Sequence, residues 1–178
     1  MGLRAYGVAM VAAVGALWLM SGTQREKPVL AATEPEAVRV LEASVVARPV
    51  DVDANRALAQ AYLDARQPGL AIVLVEGAAL VVRDDVRVQH VYARALVDAG
   101  RNDEALAAER RVLAMCRPLL DGGLVPPGCD AVLLASSARR TQILSELVSL
   151  GVEDAQAHPE TSLIAYQNAT REARVMVQ

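Results

Sequence analysis

The chain has 178 residues, 53% hydrophobic and 22% charged, a size and balance that suit one domain or a domain with an appendage. Its 18 Lys/Arg against 21 Asp/Glu leave a net charge of −3, which excludes a polybasic nucleic-acid binder. With no Phe, and only Trp18, Tyr6, Tyr62, Tyr92 and Tyr166 as rings, it also lacks a platform on which single-stranded bases would stack.

Residues 5–24 carry no charge between Arg4 and Arg25. As a helix this stretch would reach about 30 Å, the thickness of a bilayer's hydrocarbon core. Trp18 and Tyr6 fall near its two ends, where amphipathic rings favour the interface. Residues 1–24 therefore read as a transmembrane anchor or uncleaved signal, followed by a linker over 25–34. A cleaved secretory signal is the alternative, with Arg4 as its basic start, although no good small-x-small site follows Met20 directly. The expected location is the bacterial inner membrane, single-pass, with a periplasmic C-terminal domain. A cleaved, soluble periplasmic form is one alternative. A cytoplasm-facing domain is another, because Arg25 and Lys27 offset Arg4.

The body of the chain is helical in pattern and repeats. Residues 52–85 laid over 86–119 give identities at Val52/Val86, Ala59/Ala93, Ala61/Ala95, Asp64/Asp98, Ala65/Ala99, Ala71/Ala105 and Arg83/Arg117. Leu58-Ala59-x2-Tyr62 with Ala71, and Tyr92-Ala93-x2-Leu96 with Ala105, place a large, a small and another large apolar residue, then an alanine nine residues on. This arrangement resembles the tetratricopeptide repeat. The resemblance covers residues 35–118 and implies antiparallel helix pairs in which small residues permit close approach and large ones fill the gap. Gln67-Pro68-Gly69 marks the turn within the first unit; Gly100 marks it in the second, with Asn102 or Asp103 capping the next helix. Residues 35–51, with Ala37, Leu41 and Pro49, read as a half-unit, a second helix without its first partner. Asn55 and Gln89 replace the family's leading Trp, Glu109 stands where an aromatic is usual, and Pro118 comes one residue late. The apolar run 72–82 reads as buried helix.

Residues 119–130 form a Gly/Pro loop. Helix resumes over 131–150, and Pro159 opens a last helix with Leu163, Tyr166 and Ala173 on one face. This C-terminal segment, 131–178, is expected to cap the stack or to be one more degenerate repeat. The fold expected is all-α, a short tetratricopeptide-type solenoid with one N-terminal transmembrane helix and a C-terminal capping pair.

Asp51-Val52-Asp53-Ala54-Asn55 opens like a calcium loop, but Arg56 and Tyr62 stand where that loop needs Gly and Glu, so N-capping by Asp51 or Asp53 is the better reading. His90 and His158 show no pairing with Ser or Cys that would suggest nucleophilic catalysis; His158 reads as a helix-entry residue. By the resemblance, the first helices line a groove, with Arg56, Gln60, Asp64, His90, Arg94 and Asp98 as candidates to meet a peptide; a solvated charged face is the plainer reading. Cys116 and Cys129 bracket the Gly/Pro loop without a CxxC motif; they read as a disulfide in an exported domain, or as two reduced buried thiols. No cofactor, metal or enzyme constellation is evident. The function expected is a membrane-anchored protein–protein interaction module: a scaffold, assembly factor or accessory subunit of an integral membrane complex, contacting lipid through residues 5–24. The alternative is an extracytoplasmic peptide-binding chaperone or biogenesis factor.

Overall fold

A computed structural model describes residues 35–155 and 157–175, giving the backbone alone for Pro35 and 171–175. The anchor reading of 1–24 and the linker 25–34 lie outside these residues. The described residues are all-helical, without strands: α1 (Pro35–Ala47), α2 (Val52–Asp64), α3 (Pro68–Gly77), a single turn α4 (Leu80–Arg83), α5 (Val86–Asp98), α6 (Asn102–Cys116), a single turn α7 (Pro118–Asp121), α8 (Ala131–Ser149) and α9 (Pro159–Val175). None of these is long and apolar enough to cross a membrane.

Three of the helices, α2, α5 and α8, share one construction. Each opens on an aspartate whose carboxylate takes up orphan backbone N–H groups of the first turn. Asp51 accepts from Ala54 N–H at 3.0 Å, Asp85 from Arg87 and Val88 N–H at 2.9 and 3.2 Å, and Asp130 from Leu133 N–H at 2.7 Å. Each closes on a left-handed residue: Arg66 at φ 59°, Gly100 at 76° and Gly151 at 69°. Around those residues the same two bonds recur. Gln67, Arg101 and Val152 N–H donate to the carbonyls of Tyr62, Leu96 and Leu147 at 2.8, 2.8 and 3.0 Å. Arg66, Gly100 and Gly151 N–H donate to Leu63, Val97 and Val148 at 2.9, 3.0 and 3.0 Å, completing a Schellman closure in each case. Glycine suits the left-handed position because it has no Cβ; Arg66 meets a cost of about 1–2 kcal/mol there. The expected cap on α6 is absent. Arg101 precedes that helix without a side-chain cap on its backbone, donating instead to the Glu104 carboxylate, and the Asn102 amide donates to Val152 O at 2.8 Å, tying α6 to the end of α8.

Short turns make antiparallel pairs of α2 with α3 and of α5 with α6, and α9 packs on α8 after a longer connection. α1 rests on α2, α2 and α3 both touch α5, and α6 packs along α8. Ala59, Ala71, Ala93 and Ala105 are all 0% exposed, so helix backbones meet across methyl groups. Leu58 and Leu96 are buried beside them, and Tyr62 and Tyr92 pack half-buried at the edge. Both phenols donate to a glutamate of the helix before their own unit, Tyr62 to Glu42 of α1 at 2.8 Å and Tyr92 to Glu76 of α3 at 2.9 Å. Burial first, and then that carboxylate, push each phenol up to about 12. Asn55 and Gln89, 34 residues apart, are buried and matched alike: each amide donates to the carbonyl six residues earlier, Pro49 at 3.2 Å and Arg83 at 2.6 Å.

Two expectations are corrected. The run 72–82 is not one buried helix. It breaks after Gly77 at Ala78 and Ala79, both extended, and the redirected turn buries Val82 while Val73, Leu80 and Val81 face solvent. An all-apolar run has no polar side to mark which face turns inward. On α9, Leu163 and Tyr166 are exposed, and the buried contacts are Ala165 and Ala169. Close approach to α8 selects small residues there rather than large ones.

Candidate functional site

Glu109 lies on α6, 34 residues after Val75, in a register where the preceding helix pair buries a valine. Its side chain is 0% exposed. A carboxylate taken out of water must be matched by donors or cations, and three side chains converge on it. Ser137 Oγ donates to Oε2 at 2.6 Å, Arg140 Nη1 donates to Oε1 at 3.0 Å, and His90 Nδ1 stands 3.0 Å from Oε2. Ser137 and Arg140 sit three apart on α8 and so share one face; His90 comes from α5. The far side of the imidazole faces Ser136, whose Oγ lies 3.3 Å from Nε2. Arg140 also reaches toward the His90 carbonyl at 3.5 Å. The sequence shows no partner for His90 among Ser or Cys because Ser136 is 46 residues away, beyond the loop.

Beside this cluster is an open cleft of about 490 Å³, lined by Arg56 of α2, His90 and Val91 of α5, Leu133 and Ser136 of α8, and Gly128 of the loop. The loop is held in place at two points. Cys116 and Cys129 are joined, S–S 2.00 Å with Cα atoms 5.4 Å apart, linking the end of α6 to the start of α8. Gly128, at φ +87°, lies so close over Arg87 that a Cβ there would fall 2.8 Å from Nε. Arg87 is itself fixed, with Nη1 2.9 Å from Asp53 Oδ1 and Nη2 3.2 Å from Asp85 Oδ2.

The groove residues named from the sequence are placed unequally. Arg56 lines the cleft; its buried Nε has no hydrogen-bond partner, and Asp53 Oδ1 lies 3.8 Å away. Gln60 donates to Asp64 at 2.8 Å on the surface of α2. Arg94 and Asp98 are exposed on α5. His90 is not free for a ligand on both sides, since Glu109 takes its Nδ1. Of the two capping candidates in 51–55, Asp51 fills the role and Asp53 instead pairs with Arg87. His158 precedes α9, and its carbonyl accepts from Ser162 N–H at 3.0 Å.

Sequence reasoning did not single out Ser136, Ser137 or Arg140. The one signal pointing to them is Glu109 itself, a charge in a core register that demands a cation from a later helix. Among the described residues no group of three or more His, Cys, Asp or Glu side chains is placed to hold a metal ion. No protein-family model, curated protein or solved structure matches this chain.

Proposed function

We propose that the chain is a membrane-anchored protein–protein interaction module of tetratricopeptide type, serving as a scaffold, assembly factor or accessory subunit of a membrane protein complex. The observation that carries this reading is the recurrence at both ends of α2 and α5. Aspartate caps at Asp51 and Asp85 and Schellman closures at Arg66 and Gly100 repeat at 34 residues, the period of that repeat. On this reading α8 and α9 are a third, stretched unit, with α8 at 19 residues against 13 for α2 and α5, and α1 is the half-unit. The adjoining first helices then offer partners a polar face carrying Arg56, Gln60, Asp64, Arg94 and Asp98. The Cys116–Cys129 bridge supports an oxidising, extracytoplasmic setting, and residues 5–24 would supply the anchor.

The test is extraction of the tagged full chain in mild detergent, with quantification of what co-purifies. A membrane protein in stoichiometric amount, lost when Arg56 and Arg94 are both changed to Glu, is the expected result. Recovery of the chain alone, or of a partner indifferent to that charge reversal, overturns the reading.

A further inference from the structure

We propose that Ser136 is an acyl-accepting nucleophile, with His90 as its general base and Glu109 as the group that orients the imidazole, and that the adjoining cleft admits small esters. The proposal does not depend on the interaction reading; either stands if the other falls.

The geometry is that of a relay from surface to interior. Glu109 Oε2, which also accepts from Ser137, lies 3.0 Å from His90 Nδ1; this assigns the ring proton to Nδ1 and leaves Nε2 to receive the Ser136 hydroxyl at 3.3 Å. That second distance is at the loose end shown by nucleophile–base pairs before substrate arrives. Ser137 and Arg140 hold the Glu109 carboxylate on its other sides, so the imidazole has a fixed plane to lean on. The imidazole is 18% exposed and Ser136 lines the cleft, so both reacting groups are within reach of a ligand.

A purely structural role explains only part of this cluster. Ser137 and Arg140 are enough to satisfy Glu109 and to fasten α8 onto α6. Ser136 adds nothing to that fastening: its hydroxyl faces the imidazole, not the carboxylate. Of the cations in the cleft, Arg87 is committed to Asp53 and Asp85 at hydrogen-bond distance, whereas Arg56 is only loosely paired, its Nε 3.8 Å from Asp53 Oδ1 and its side chain 43% exposed. The exposed part of the Arg56 side chain, not its buried Nε, is therefore what the cleft offers to a developing oxyanion. Ser136 lies inside α8, where its own N–H belongs to the helix ladder, so no paired backbone donors assist. That limits the substrate to esters with a good leaving group rather than amides. Val91, Val132 and Leu133 on the walls suit a short apolar acyl chain.

In the acylation step Ser136 Oγ bonds to the ester carbonyl carbon while its proton passes to His90 Nε2. The carbonyl π pair moves onto oxygen, and its collapse expels the alkoxide, which takes the proton back from His90. Water repeats the sequence on acyl-Ser136: its proton goes to His90 and then to Ser136 Oγ as the carboxylic acid leaves.

The full chain in mild detergent is incubated with a fluorophosphonate and, separately, with p-nitrophenyl butyrate. One adduct per chain on the peptide bearing Ser136, and a burst of p-nitrophenol, are expected. Both are abolished in Ser136→Ala and slowed at least about 100-fold in His90→Gln, while Ser149→Ala, at an exposed serine of α8, behaves as wild type. Melting midpoints for each variant separate lost chemistry from lost fold. A folded wild-type chain that takes no adduct at Ser136, or a Ser136→Ala chain that hydrolyses the ester at the parent rate, overturns the proposal.

Discussion

Replacing Arg140 with methionine removes the arginine that, among the described residues, pairs with a carboxylate that has no access to water. Breaking a buried ion pair from one side costs about 3–5 kcal/mol. Arg140 is 28% exposed, and Ser137 and His90 still face Glu109, so the low end applies, about 3 kcal/mol. For a chain of this size that is a fall in Tm of about 6–12 °C. The informative variant is the double one, Arg140→Met with Glu109→Leu. An apolar side chain suits that register, because Val75 fills it one helix pair earlier. Ser137 Oγ keeps a partner, the residue-109 carbonyl at 3.3 Å, and His90 is open enough to reach water. The double variant should thus regain about 2 kcal/mol of what the single one loses, a strong positive coupling. Urea titrations of the full chain in detergent, followed by circular dichroism, measure the parent, the two single variants and the double variant. If the two changes simply add, Glu109 is not held as a buried charge by Arg140, and the account of how α8 is fastened fails.

Reducing the Cys116–Cys129 bridge, which spans a sequence separation of 13, should lower stability by about 3 kcal/mol from restored chain entropy; urea midpoints with and without reductant measure it. Ala105→Leu inserts bulk where the side chain is 0% exposed and should cost about 1–3 kcal/mol; an unchanged melting midpoint would refute the close α5–α6 packing. Tyr62 and Tyr92 keep their protons longer in the folded chain, to about 12 against 10.0. Their contribution is whole below pH 10 and is lost as pH rises from there to about 12; the decline should flatten in the Tyr62→Phe, Tyr92→Phe double variant, read as Tm against pH.

Features set by neighbours in sequence could be read in advance. The Asp51 cap needs only the next three residues, and the Gly100 stop needs only the absence of a Cβ. The alanines at 59, 71, 93 and 105 were legible because a small residue recurring between large ones has few uses other than close helix contact. The Glu109 cluster was not legible in that way. Its donors come from His90, 19 residues before, and from Ser137 and Arg140, 28 and 31 after. The loop between does not keep the 34-residue spacing, so no periodic alignment brings α8 opposite α6. The face of α9 failed for a different reason: hydrophobicity marks what gains by burial, whereas the contact with α8 is limited by how near two backbones can come.

Asp53 and Arg87 hold the same place in successive helix pairs, 34 residues apart, and meet at 2.9 Å. With Asp53 68% exposed, the pair is worth only tenths of a kcal/mol. Its sign nevertheless makes the two helix pairs non-interchangeable. A tandem copy of the first would set aspartate against aspartate at this junction, and a copy of the second would set arginine against arginine, so duplication in either direction meets repulsion where the natural order meets attraction. The junction thus tilts by tenths of a kcal/mol against tandem copies of either pair, without fixing which of the two comes first.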